Sequence, residues 1–93
     1  MSDYELRRAI INDWFVDGVH RGARYMIIVF DKNELEERPI FVFPEQNIQK
    51  EVVKQIENVS VDIKAVMDLL DDIDRQILSI IIPEDILVSK VMN

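Results

Sequence analysis

Apolar residues recur at helical spacing over the first twenty positions. Leu6, Ile10 and Trp14 stand four apart with Ile11 and Phe15 beside them, which draws one wide apolar stripe along a helix of about five turns. Ser2 and Glu5 fit a capping box at its start. Asp3 and Glu5 suit the positive end of the helix dipole, and His20 and Arg21 suit the negative end. Gly22 is placed to end the helix in a left-handed conformation, with Gly18 as an earlier candidate stop.

The pattern changes at Arg24–Asp31, where Arg-Tyr-Met-Ile-Ile-Val-Phe-Asp predicts a strand apolar on both faces, hence central or covered. A charged loop over Asp31–Arg38 leads to a second strand, Pro39–Pro44, whose terminal prolines suit an edge. Together they predict an antiparallel hairpin. Helical spacing returns at Ile48, Val52, Ile56 and Val59, with Asn58 as an interruption and Ser60 as a fresh N-cap ahead of Asp62. Ile63, Val66, Leu70, Ile73, Ile77 and Ile80 then follow a heptad spacing of 3, 4, 3, 4 and 3, which predicts a long helix stopped at Pro83. Glu84–Asn93 reads as a short helical turn or a docking tail held by Ile86, Leu87 and Val91. The expected fold is α+β: an N-terminal helix, a two-stranded antiparallel hairpin, then two or three helices including the heptad-patterned one.

Ninety-three residues allow one small domain, spanning 1–93. A chain that is 48% hydrophobic and 31% charged is globular. It also holds fourteen isoleucines, more apolar supply than one small core requires. A domain of this size buries only about 65% of its unfolded surface. The excess is expected in a homodimer or higher homo-oligomer, through the seam Ile63, Val66, Leu70, Ile73, Ile77 and Ile80. The competing reading packs the same seam on the first helix within one chain.

Eleven basic residues against eighteen acidic ones leave a net charge of −7, which offers no overall field to nucleic-acid phosphate; no direct nucleic-acid binding is expected. Asp68, Asp71, Asp72 and Asp74 resemble a cation site, but without a glycine turn and carbonyl ligands they read as a solvated acidic face suited to a protein partner. The chain has no cysteine and one histidine, which excludes disulfides, thiolate chemistry and multi-histidine metal sites. No metal or other cofactor is expected.

Asp17 and His20 could orient a general base, yet a helix-end histidine meeting the dipole is much the plainer reading. The serines occupy no nucleophile elbow, and Gly18 and Gly22 make no phosphate loop. An enzyme is therefore not expected. Arg21 and Arg24 flank the end of the first helix and could bind an anion or a nucleotide phosphate together; the plainer reading pairs Asp17 with Arg21 and Asp3 with Arg7. Trp14, Phe15 and Tyr25 read as core, since a base-stacking platform comes with a positive groove. No apolar run approaches the roughly 20 residues that span a bilayer. The first residues lack a basic and then apolar signal pattern, so a cytoplasmic location, own cell or host, is expected.

The stretch Asp13-Trp14-Phe15-Val16-Asp17-Gly18-Val19, then Arg21-Gly22-Ala23 and Tyr25–Asp31, resembles a small uncharacterised bacterial and phage protein family. Its members read as a helix with Trp and acidic residues, Gly-Ala, an apolar strand ending in Asp, and a short second strand, here Arg38–Val42. Ile63–Leu78 is similar to the family's later helix, so the likeness covers Asp13 to Leu78 and departs from it in the Ile-rich end beyond Gln76. It carries over no functional residue; it implies a small soluble accessory protein, often encoded by a phage or mobile element. The leading expectation is a non-enzymatic, acidic, self-associating interaction protein acting on a host protein. The alternative is a small-molecule or nucleotide-sequestering protein using Arg21 and Arg24.

Overall fold

The computed structural model describes residues 3–76, in the order α1 (Asp3–Arg21), β1 (Tyr25–Asp31), β2 (Glu36–Val42), α2 (Ile48–Glu57) and β3 (Val61–Asp68). A further helical turn begins at residues 73–76. The three strands form one antiparallel sheet in the order β2-β1-β3. The fold is α+β, with a sheet of three strands rather than the expected hairpin of two.

The helix α1 ends as its sequence predicts. Gly22 adopts φ +82°, its N–H donates to the Val19 carbonyl, and the Ala23 N–H donates to Gly18. That pair of bonds is a Schellman cap, which needs a left-handed residue at the turn. Gly18 is no stop. It lies buried inside α1, where an added Cβ would meet the Phe41 ring at 2.8 Å and Leu69 at 2.9 Å. Its missing side chain lets the helix settle against the sheet.

Central β1 is apolar on both faces because both are covered. On one face Met26 and Ile28 join Ile11, Phe15, Met67 and Leu69 beneath α1. On the other, Ile27 and Val29 join Val42 and Val61, with Ile48 and Val52 of α2 packed over them. The hairpin pairs Tyr25 with Val42 through Asp31 with Glu36, so the connecting turn is shorter and β2 starts earlier than expected. Pro39 therefore sits inside β2, where an edge strand tolerates the missing donor. α2 is capped at its start by Asn47, whose side chain accepts the Lys50 N–H at 3.1 Å, and at its end by Asn58.

The largest correction falls on the heptad seam. Val61–Asp68 is a strand, so Ile63 and Val66 are not on a helix and Ser60 is no helix cap. The cause lies in β1, whose second edge needs hydrogen bonds that only another strand can supply. A bulge lets β3 serve both layers. Ile63 pairs with Val29 but Ala65 pairs with Ile28, leaving Lys64 unopposed. Val61 and Ile63 consequently face α2, whereas Ala65 and Met67 face α1. Ser2, Ile77, Ile80, Pro83 and the tail Glu84–Asn93 lie outside the described residues.

Candidate functional site

The described residues of the expected seam are dispersed. Ile63 packs under α2, Ile73 packs against the α1-side core, Val66 is half exposed on β3, and Leu70 is exposed in the turn that follows. They share no continuous face.

Arg21 and Arg24 are each engaged by a carboxylate. Arg21 Nε donates to Asp17 at 3.0 Å and its guanidinium lies over the Phe41 ring. Arg24 donates to Asp68 and stacks on Tyr25 with 4.4 Å to the ring centroid. Asp17 is thereby committed to Arg21, as its spacing predicts, and not to His20. The other expected local pair differs: Arg7 reaches across to Glu37 of β2 through two bonds of 3.0 Å rather than back to Asp3.

The aspartates at and after the end of β3 are also occupied, each in a different way. Asp68 accepts the Leu70 N–H at 2.8 Å, and the Gln76 side-chain amide brackets the Asp68 backbone, accepting its N–H at 2.7 Å and donating to its carbonyl at 2.8 Å. Asp71 takes Arg75, Asp72 caps the Asp74 N–H at 2.8 Å, and Asp74 pairs with Arg8 at 2.9 Å. Hydrogen bonding to Arg75 and to the Asp72 N–H holds the Asp71 carboxyl below the ordinary carboxylate range. These groups staple the chain after β3 to its neighbours and do not converge on a common point. Among the described residues no His, Asp and Glu grouping has metal-site geometry, and no buried side-chain polar atom lacks a partner. No described helix is long and apolar enough to cross a membrane.

An open concave feature lies elsewhere on the described residues. Between α1 and the β1–β2 turn runs an open groove of about 480 Å³, walled by Leu6, Ile10 and Trp14 on the helix and by Phe30 and Leu35 on the hairpin. Leu6, Ile10 and Leu35 are 51%, 40% and 75% exposed, so the apolar wall faces solvent. Asp3, Arg7, Glu36 and Glu37 stand at its rim. Helical geometry explains the helix side: Ile11, Phe15 and Gly18 take the position over the sheet, and Leu6, Ile10 and Trp14 are turned toward the hairpin flank. The hairpin side follows from the turn. Asp31 Oδ1 accepts the Asn33 and Glu34 N–H groups at 2.9 and 3.2 Å, and Leu35 then turns the chain with φ 57°.

The stripe Leu6, Ile10, Trp14 was legible as core spacing, but its exposure was not. The signal available was Leu35, one apolar residue in an otherwise charged loop. Compared with known proteins, the chain matches no family model, no curated protein and no solved structure.

Proposed function

We propose that the protein is a non-enzymatic interaction protein that self-associates and binds a protein partner through an acidic, partly apolar surface. The observation that carries this reading is the solvent-facing apolar wall of the α1–hairpin groove beneath a predominantly acidic rim. A small domain gains nothing by leaving Leu6, Ile10 and Leu35 in water unless another surface covers them. Self-association draws support from further apolar exposure on α2 and β3, at Val53, Ile56 and Val66. The accessory-protein context of the family resemblance would make the partner a host protein.

The nucleotide-sequestering alternative has weaker support, because Asp17 and Asp68 already hold the two arginines it requires. The test is the native mass of the full chain at micromolar concentration. A dimer or larger assembly is expected, reduced to a monomer by Ile56→Asp with Val66→Asp. A monomer mass for the unsubstituted chain would remove self-association from this reading.

A further inference from the structure

We infer that the α1–hairpin groove is the seat of a cationic amphipathic helix belonging to a partner protein. This rests on the interaction-protein reading and names the partner's chemistry. Three observations converge on it.

Dimensions come first. Leu6, Ile10 and Trp14 rise along about 12 Å of helix axis at 1.5 Å per residue. A helical ligand presents its anchors at i, i+3 or i+4, and i+7, a span of about 10 Å on the same rise. An extended strand fits less well, since the hairpin wall consists of the side chains Phe30 and Leu35 rather than an open strand edge, and β2 carries Pro39 within its outer strand.

The second observation is Leu35. A left-handed backbone position belongs to glycine or asparagine, and a branched apolar residue there is strained. Asn33 lies two positions away in the same turn, yet the strained site holds leucine and leaves it 75% exposed beside the groove. The turn thus keeps an apolar anchor where stability alone would favour glycine.

Charge selects the partner. Asp3 and Glu36 form no ion pair among the described residues, while Arg7 at the rim is held by Glu37 and the Lys64 ammonium lies over the Phe30 ring. Asp13, three residues on from Ile10, extends the same flank of α1. With a net charge of −7, a second copy of this chain meets like charge at the rim, whereas lysine and arginine flanking an apolar stripe meet opposite charge.

The chain's one tryptophan, Trp14, lies in the groove wall and reports on occupancy. The probes are a tryptophan-free amphipathic peptide with leucine at its a and d positions and lysine elsewhere, and the same peptide with glutamate replacing lysine. With the full chain, the lysine peptide is expected to change Trp14 emission saturably, and the glutamate peptide to bind at least about tenfold more weakly. Leu35→Asn, neutral and suited to the left-handed backbone, is expected to weaken the lysine peptide by about tenfold or more. Leu35→Gly removes the anchor and relieves the backbone, so it should lose binding without lowering the melting temperature; this keeps the test independent of misfolding. Equal binding of the two peptides, no Trp14 response to either, or full affinity in both Leu35 variants would overturn the assignment.

Two other occupants would overturn it as well. Trp14 emission that depends on protein concentration alone would place a second copy in the groove. Emission shifted to the red by Ile86→Asp with Leu87→Asp in the full chain would place the chain's own terminus there. A monomeric native mass defeats only self-association, while a failed peptide titration beside a native oligomer defeats only the groove assignment.

Discussion

The two faces of the sheet are covered by helices of unequal reach. Nineteen-residue α1 sends Ile11 and Phe15 into a buried cluster with Met26, Ile28, Met67 and Leu69, and lets the sheet approach closely at Gly18. Ten-residue α2 has the cleaner division into apolar and polar sides, yet none of its residues is fully buried; Ile48 and Val52 only cap the cluster of Ile27, Val29, Val42 and Val61. Neatness of pattern and depth of burial are therefore separate properties. What decides depth is how much sheet the helix spans. The α1 layer should carry most of the packing energy, and α2 should behave as the looser lid.

Substitutions can break that contrast or sharpen it. Phe15→Ala empties a large site in the α1 layer and should cost about 3–5 kcal/mol in denaturant unfolding, against about 1 kcal/mol for Val52→Ala in α2. Equal losses at the two positions would break the contrast. Gly18→Leu forces a side chain into the space of Phe41 and Leu69, and should cost about 2–3 kcal/mol despite leucine's better helix propensity. A neutral outcome would mean that α1 sits farther from the sheet than described.

Asn47→Ala removes the cap of α2 and should cost about 1 kcal/mol, with amide exchange accelerating first in α2 and not in α1. The smallest effect concerns Asp71, in the turn after β3. Arg75 and the Asp72 N–H lower its folded-state pKa, so its contribution is present above the ordinary carboxylate range and lost as pH falls through the lowered value. Carboxyl-carbon NMR titration should show the Asp71 pKa rising toward the ordinary range in Arg75→Ala, with little change in melting temperature at neutral pH. An unchanged titration would assign the shift to the backbone donor alone.

Much of the first half of the molecule was legible, because local signals there agree with one another. The α1 stripe, the Gly22 cap, the two-faced strand β1 and its antiparallel partner β2 each carry a marker that tertiary contacts reinforce. α2 was legible too, from Ile48 and Val52 down to Asn58. β3 was not, because Ile63, Val66, Leu70 and Ile73 happen to satisfy a heptad while Val61, Ile63, Ala65 and Met67 satisfy a strand. Local spacing cannot choose between those two patterns. The choice was made at long range, by the unfilled side of β1.

The candidate site was half visible for a related reason. Leu6, Ile10 and Trp14 announce an apolar stripe, but a stripe broader than the sheet beneath it spills onto one flank, and only the position of α1 reveals which residues spill. The two arginines of the expected anion pair differ in how far their partners could be read from spacing. Arg21 has the i, i+4 partner that its sequence promises in Asp17, whereas the Arg24 partner Asp68 lies 44 residues away and becomes adjacent only once β3 has paired.

Pro39 has a consequence for how such chains meet when crowded or partly unfolded. A sheet lengthens by recruiting another backbone along its rim, and a residue that has no amide hydrogen leaves a missing rung in any such ladder. Fibrous growth on the β2 flank is thereby discouraged, and on the β3 flank the bulge at Lys64 breaks the regular spacing of rungs, so the two rims resist sideways polymerisation by different means.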